Sequence, residues 1–243
     1  MILSICMATY NGAKYIRNQM NSILNQDLSD YPEAELEIIV SDDGSTDDTL
    51  QIIESYHDER IKIYHHQQKS THKYKEGLFA ATENFGYALE KATGDFIFLA
   101  DQDDIWAPYK IKESLDVLTK HGGLCATAFY MGANTKEIWG VVKYKEYPRF
   151  KLRRERYFYG FSIGMTKEFL KKIIPMPVIP SHDIFMTMVA SFSNCTTIID
   201  EPCAFHRKHA GNTTRNSMYS PFLFRNYYRI KMLLYAIWRS FFV

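Results

Sequence analysis

Asp101-Gln102-Asp103 follows Phe96-Ile97-Phe98-Leu99-Ala100, a run so apolar that it reads as a buried strand. Two carboxylates two residues apart, where a chain bends out of a strand, can converge on one hard cation. A Mg²⁺ or Mn²⁺ held there would bridge the phosphates of a substrate. Helix capping is the competing use of clustered aspartates, and Asp104 is expected to cap a helix starting near Pro108. Taken alone, the motif weighs metal binding and capping evenly. Asp42-Asp43-Gly44-Ser45 is weaker by itself, because an acidic residue, Gly and Ser also make ordinary turns.

The elements that carry these residues decide between the readings. Residues 2–8 and 36–40 are short apolar runs, closed by Thr9-Tyr10-Asn11-Gly12 and by the Asp42 cluster, and both suit buried parallel strands. Helical spacing follows each run, first at Ile16, Met20, Ile23 and Leu24 and then at Leu50, Ile52, Ile53 and Tyr56. A strand over 61–64, a polar loop, a helix over 77–91 and the Phe96 strand continue the alternation. The pattern predicts an α/β fold, a Rossmann-like open sheet, mostly parallel, with helices on both faces. Three polar clusters then end strands of one sheet, on the edge where such sheets hold ligands. A random set of caps would not share that edge. Together the aromatic face of Tyr10, a carboxylate able to accept from a base N–H and a metal-binding pair describe a nucleoside diphosphate site. The second half is less regular, with a helix over 108–121, a strand over 124–131, a basic aromatic stretch over 143–161, a helix over 184–192 and a strand near 197–199.

Ala8-Thr9-Tyr10-Asn11-Gly12, Val40-Ser41-Asp42-Asp43-Gly44-Ser45-Thr46-Asp47 and Phe98-Leu99-Ala100-Asp101-Gln102-Asp103-Asp104-Ile105-Trp106 resemble the signature segments of family 2 glycosyltransferases, which have the GT-A fold. The DQDDIW form is similar to a bacterial subgroup containing rhamnosyltransferases. The resemblance implies that Ala8 and Tyr10 line a base pocket, that Asp43 reads a pyrimidine N3–H, and that Asn11, Asn84 and Gln102 also face the nucleotide sugar. It further implies that Asp101 faces ribose and pyrophosphate and that Asp103 binds the metal. Ser181-His182-Asp183-Ile184 resembles the family's acidic motif at a helix start, which makes Asp183 the implied base of an inverting transfer to a sugar hydroxyl. In Phe205-His206-Arg207-Lys208-His209-Ala210-Gly211-Asn212, Arg207 is the implied phosphate clamp and His209 a metal ligand or phosphate contact, with His206 not catalytic. Many relatives carry a basic residue before the Asn aligned with Asn84. This chain has Glu83, so a pyrophosphate contact is expected either to be missing or to come from Lys69, Lys73 or Lys75. The acceptor is expected near Gly160-Phe161-Ser162-Ile163-Gly164 and the rings from Tyr157 to Phe161. A sugar-nucleotide binding module without catalysis is the alternative that this departure leaves open. A nucleotidyltransferase would want a Gly-rich triphosphate loop after the first strand, and none is present.

The chain has 243 residues, enough for a core without staples, and 29 basic against 28 acidic side chains, a balance that argues against nucleic acid as a partner. Cys6, Cys125, Cys195 and Cys203 lack metal or disulfide spacing and read as reduced thiols; with no basic leader ahead of the first strand, this points to the cytoplasm. The even balance conceals an asymmetry: beyond Glu201 there is no Asp or Glu, and seven Lys or Arg. A catalytic domain over 1–217 and a basic tail over 218–243 are therefore expected. In the tail, Leu223, Tyr227, Ile230, Leu234, Ile237 and Phe241 form one stripe at helical spacing, with Arg225, Arg229 and Arg239 beside Met232 and Ala236 on another face. Such a helix suits the inner membrane surface, or packing of its apolar face on the domain or on a second subunit of a homo-oligomer. The expected partners are thus a nucleotide diphosphate sugar donor, a glycan or lipid-linked acceptor and a membrane surface.

Overall fold

The computed structural model describes residues 1–67, 76–145, 157–212 and 221–243. Lys69, Lys73 and Lys75 and the expected boundary at 217/218 lie outside these residues.

β1 (Ile2–Thr9) lies between two parallel neighbours, and its Leu3, Ile5, Cys6 and Met7 are buried on both faces, as such a strand requires. Beside it lie β2 (Glu35–Asp42) and β4 (Phe96–Asp101), both parallel to it, and β3 (Ile61–His65) lies beyond β2 in the same direction. Their register brings the strand ends level: Thr9 pairs with Asp42, Ala8 with Asp101, and Asp42 with His65. The polar clusters therefore do lie side by side.

Helices α1 (Ile16–Leu24), α2 (Thr49–Glu54) and α3 (Glu76–Lys91) link these strands. Past β4 come the two-residue β5 (Ile105–Trp106), α4 (Lys110–His121), β6 (Leu124–Asn134), β7 (Glu137–Val142), a 3₁₀ turn (Gly160–Ser162), β8 (Ile163–Thr166), α5 (Lys167–Ile173), α6 (His182–Ser193), β9 (Thr196–Arg207) and α7 (Phe222–Phe242). The order across the sheet is β3-β2-β1-β4-β8-β6-β9-β5, with β7 on β6. Here the directions mix: β8 runs antiparallel to β4 and β6, whereas β9 is parallel to β6. β9 is longer than the short strand expected near 197–199, because its two register shifts against β6 carry it past Pro202 to the site.

Two cores follow from the two faces. Ile16, Met20, Ile23, Ile111 and Leu115 fill one under α1 and α4; Phe85, Leu89, Phe169, Phe185 and Val189 fill the other under α3, α5 and α6. The four thiols are unpaired and mostly buried. α7 packs along α6 and touches α3, through Met232 and Ala236, the ring pairs Phe79–Phe224 and Phe79–Tyr228, and Arg239, whose guanidinium donates to the carbonyls of Ile174 and Pro175 at 2.9 Å. Of the uses open to the apolar stripe, packing on the domain is the one set aside. The opposite face docks, and the stripe is exposed, from Leu223 at 80% to Leu234 at 62% and Phe241 at 61%.

Candidate active site

The loop after β1 is clasped to the ends of β2 and β4. Tyr10 N–H donates to Gln102 Oε1 at 3.0 Å, and Gln102 Nε2 returns a bond to Tyr10 O at 2.9 Å. Asn11, in the left-handed region at φ 48°, donates its N–H to Ser45 Oγ and accepts from Thr46 N–H at 2.8 Å. Asn84 is buried; it accepts from Ser41 and donates to Thr9 O at 3.2 Å, so its amide braces β1 against β2 beneath the pocket. Ala8 is partly buried in the same floor, and the Tyr10 side chain stands exposed at its rim. Asp42 is consumed by the turn, taking bonds from Thr9 Oγ1, Gly44 N–H and Ser45 N–H. Asp43 takes no part in that turn, and its nearly buried carboxylate meets His66 instead.

One carboxylate oxygen from each of Asp101, Asp103 and Asp104 lies within 4.8 Å of the other two. Burial first, then the charges of Asp104 and Asp103, push Asp101 well above the usual carboxylate range; burial and then Asp103 do the same to Asp104. One oxygen of Asp104, Oδ2, is buried with no partner among the described residues. Hard oxygen donors crowded until they resist ionisation are what a divalent cation relieves, so this set fits Mg²⁺ or Mn²⁺. Asp104 does not cap a helix: α4 begins after Tyr109 with no side-chain cap. Its Oδ1 instead accepts from His206 Nδ1 at 2.8 Å and Arg207 N–H at 3.1 Å, which draws the end of β9 onto the motif.

Residues 206–212 fold over Asp103. Gly211 N–H donates to His209 Nδ1, which leaves the imidazole proton on Nε2, and this donates to Asp103 Oδ2 at 2.6 Å. Asn212 Nδ2 donates to the same oxygen at 3.2 Å, and Arg207 Nε donates to Asp103 O at 3.1 Å. The Tyr15 ring supports the fold-over, lying 4.5 Å from the His209 ring and 4.9 Å from the Arg207 guanidinium. Nothing in the sequence singles out Tyr15.

Asp183 enters from the other side, in the first turn of α6. The helix start is pinned by His182, whose N–H donates to Thr82 Oγ1 at 3.2 Å and whose ring lies 4.4 Å from Phe85. Gly160 permits this, because a Cβ there would stand 2.8 Å from His182 Nε2. The Asp183 charge contributes to raising Asp101, Tyr144 and Tyr159, which puts it within electrostatic reach of the aspartate cluster and of the aromatic wall. That wall is braced by Tyr144, whose hydroxyl meets Ser162 Oγ and accepts from Tyr159 N–H, both at 2.9 Å.

A parallel half-sheet with level strand ends, an aspartate cluster fit for a cation and an opposed carboxylate at a helix start define a GT-A-fold transferase. The profile of glycosyl transferase family 2 matches residues 4–174, and the chain belongs to that family. It is 32% identical over 222 residues to the dTDP-rhamnosyl transferase RfbG of Shigella flexneri, covering 85% of this chain and 72% of RfbG. It is 25% identical over 244 residues to the poly(ribitol-phosphate) beta-N-acetylglucosaminyltransferase TarS of Staphylococcus aureus, spanning 96% of this chain but 40% of TarS. Among solved structures, TarS 1–349 in complex with UDP-GlcNAc superposes with a TM-score of 0.75 at 24% identity, over 97% of this chain and 66% of that one. The mannosyltransferase PcManGT from Pyrobaculum calidifontis, in complex with GDP-Man and Mn²⁺, has the same fold, with a TM-score of 0.59 at 16% identity over 98% and 72% of the two chains.

Proposed function

We propose that this chain is an inverting, metal-dependent glycosyltransferase that moves a sugar from a uridine or thymidine diphosphate donor to a lipid-linked or polysaccharide acceptor of a bacterial surface glycan, at the cytoplasmic face of the membrane. The observation that carries the reading is the cluster of Asp101, Asp103 and Asp104, with Asp183 within electrostatic reach in the first turn of a helix. The likeness to RfbG favours rhamnose as the sugar.

Asp103 would hold Mg²⁺ or Mn²⁺, which supplies charge neutralisation for a departing nucleoside diphosphate, and His209 would join it once a change of tautomer frees Nε2 from its bond to Asp103. Asp101 faces the ribose and pyrophosphate, and Arg207, held over Tyr15, clamps a phosphate oxygen. Asp183 accepts the proton of the acceptor hydroxyl as its oxygen attacks the anomeric carbon from the face opposite the leaving group. The Tyr144 and Tyr159 rings offer the acceptor sugar an apolar surface and keep water from competing. The exposed apolar stripe of α7 supports a peripheral membrane position.

The test is transfer from UDP- and dTDP-sugars with Mn²⁺ or Mg²⁺, using the native chain, Asp183→Asn and Asp103→Ala. Each variant should lose turnover by about 10²–10⁴-fold. Asp183→Asn should keep its donor affinity, because Asp183 serves the acceptor side. A native chain that binds donor yet turns over none of them would be the non-catalytic binding module instead.

A further inference from the structure

Asp43 is not alone at the nucleotide end of the cleft. His66, one residue past β3, donates from Nδ1 to Asp43 Oδ1 at 2.9 Å, and both side chains are nearly buried, at 7% and 11% exposure. His66 N–H donates to Asp42 O at 2.7 Å, which fixes the backbone at that point. The ring packs 5.5 Å from Tyr87 of α3, whose own face lies 4.9 Å from Lys91 Nζ. The imidazole is therefore held between the Asp43 carboxylate and the Tyr87 ring on a fixed backbone, and it engages one of the two carboxylate oxygens. Asp43 Oδ2 receives no hydrogen bond from the described residues, so one acceptor is presented where two would otherwise stand.

We propose that His66 sets the base selectivity of this site by restricting Asp43 to a single N–H acceptor. This rests on the reading that Asp43 faces the base. Uracil and thymine offer one imide N–H between two carbonyls, and one free carboxylate oxygen satisfies it. Guanine offers two adjacent donors, N1–H and the exocyclic amine, and pairs best with both oxygens of a carboxylate. Cytosine presents a bare N3 acceptor to Asp43 and is repelled in either case. With His66 in place, a guanine donor leaves a buried N–H unpaired and loses affinity, whereas removing the imidazole opens the second oxygen to it. The fold itself does not decide the base, since solved structures of the same fold hold UDP-GlcNAc and GDP-Man.

Calorimetric titration of the full chain with UDP, dTDP, GDP and CDP in the presence of Mn²⁺ tests this, across the native protein, His66→Ala, His66→Asn and Asp43→Ala. Loss of one oriented hydrogen bond should weaken UDP and dTDP by about tenfold in His66→Ala, while GDP tightens, so that the UDP-to-GDP ratio shrinks by more than tenfold. His66→Asn carries an amide donor of similar reach and should recover most of the native ratio; it serves the same test if His66→Ala does not fold. Equal weakening of all four nucleotides in His66→Ala, with the ratio intact, would overturn the proposal and leave His66 a packing residue. If Asp43→Ala binds UDP as the native chain does, the reading of Asp43 as the base contact fails first. If Asp43→Ala loses UDP and both His66 variants keep the native ratio, only the role of His66 fails.

Discussion

His206 lies parallel to Phe161, its ring 4.7 Å away at 13°, with its Nδ1 on Asp104, and burial pushes its imidazole down to about 4 from 6.5. The folded state thus resists a proton that the unfolded chain accepts. The His206 contribution to stability is complete above pH 6.5 and is lost as the pH falls from there through 4, by an amount on the order of 3 kcal/mol. Asp101 and Asp104 act in the opposite sense, because carboxyls raised in the folded state favour folding as the pH falls. Urea denaturation of the native chain and His206→Asn from pH 7.5 to 4.5 separates them: the difference between the curves should narrow steadily on acidification. A pH-independent difference would mean that the imidazole does not titrate in this window. At this scale the sequence was informative wherever a strand ended. Asp43, Asp101 and Asp103 could be picked out because each follows an apolar run. His66 obeys the same rule one residue past β3, but the polar residues around it make the segment read as a loop. Tyr15 could not be found this way, since its partners His209 and Arg207 are nearly two hundred residues distant and a lone Tyr has no pattern.

Gly12 shows how elements hold the site. A Cβ there would stand 2.1 Å from Gln102 Oε1, so Gln102 would have to swing away and give up both bonds to the Tyr10 backbone. Gln102 is a flexible side chain at the surface, so Gly12→Ala should cost only about 1 kcal/mol of stability. The clasp between the β1 and β4 loops would open, however, and donor KM should rise about tenfold, as expected for losing one to two positioning hydrogen bonds. Unchanged KM in steady-state kinetics would show that the clasp does not shape the pocket. The parallel half of the sheet was legible because strand and helix periods alternate cleanly and parallel strands bury both faces. The second half was less so. β9 reads as a short strand because Asp200, Glu201 and Pro202 interrupt it, and only pairing with β6 carries it on to Arg207. The stripe on α7 was visible, but the docking face was not: a buried Arg239 bonded to the Ile174 and Pro175 carbonyls breaks the rule that charge faces water, and that bond exists only in three dimensions.

Taken whole, the molecule is acidic up to Glu201 and basic beyond it, and α7 turns its most apolar face outward with Trp238 and Phe241 at one end. No helix among the described residues is long and apolar enough to cross a membrane. On the proposed membrane position, this 21-residue helix with its uncharged outer stripe would lie flat at the lipid interface, with its aromatic rings among the headgroups. Its N-terminal end packs on Phe79 near the start of α3, and α6 beside it carries Asp183 at its own start. A bilayer bound along α7 would thus lie close to the cleft, which suits an acceptor whose sugar is tethered to lipid. Two forces would hold it there, and salt separates them. The basic charges act over a Debye length that shrinks from about 10 Å at 0.1 M salt to about 3 Å at 1 M, whereas burial of apolar side chains does not weaken with salt. In flotation with vesicles containing anionic lipid, raising the salt should lower the bound fraction without abolishing it. Leu234→Glu should reduce binding at every salt concentration by roughly 10- to 100-fold, the equivalent of losing one buried Leu side chain at about 1.5–3 kcal/mol. If Leu234→Glu floats as well as the native chain, while light scattering shows the native chain to be a dimer and the variant a monomer, the stripe is a subunit interface and not a lipid-binding face.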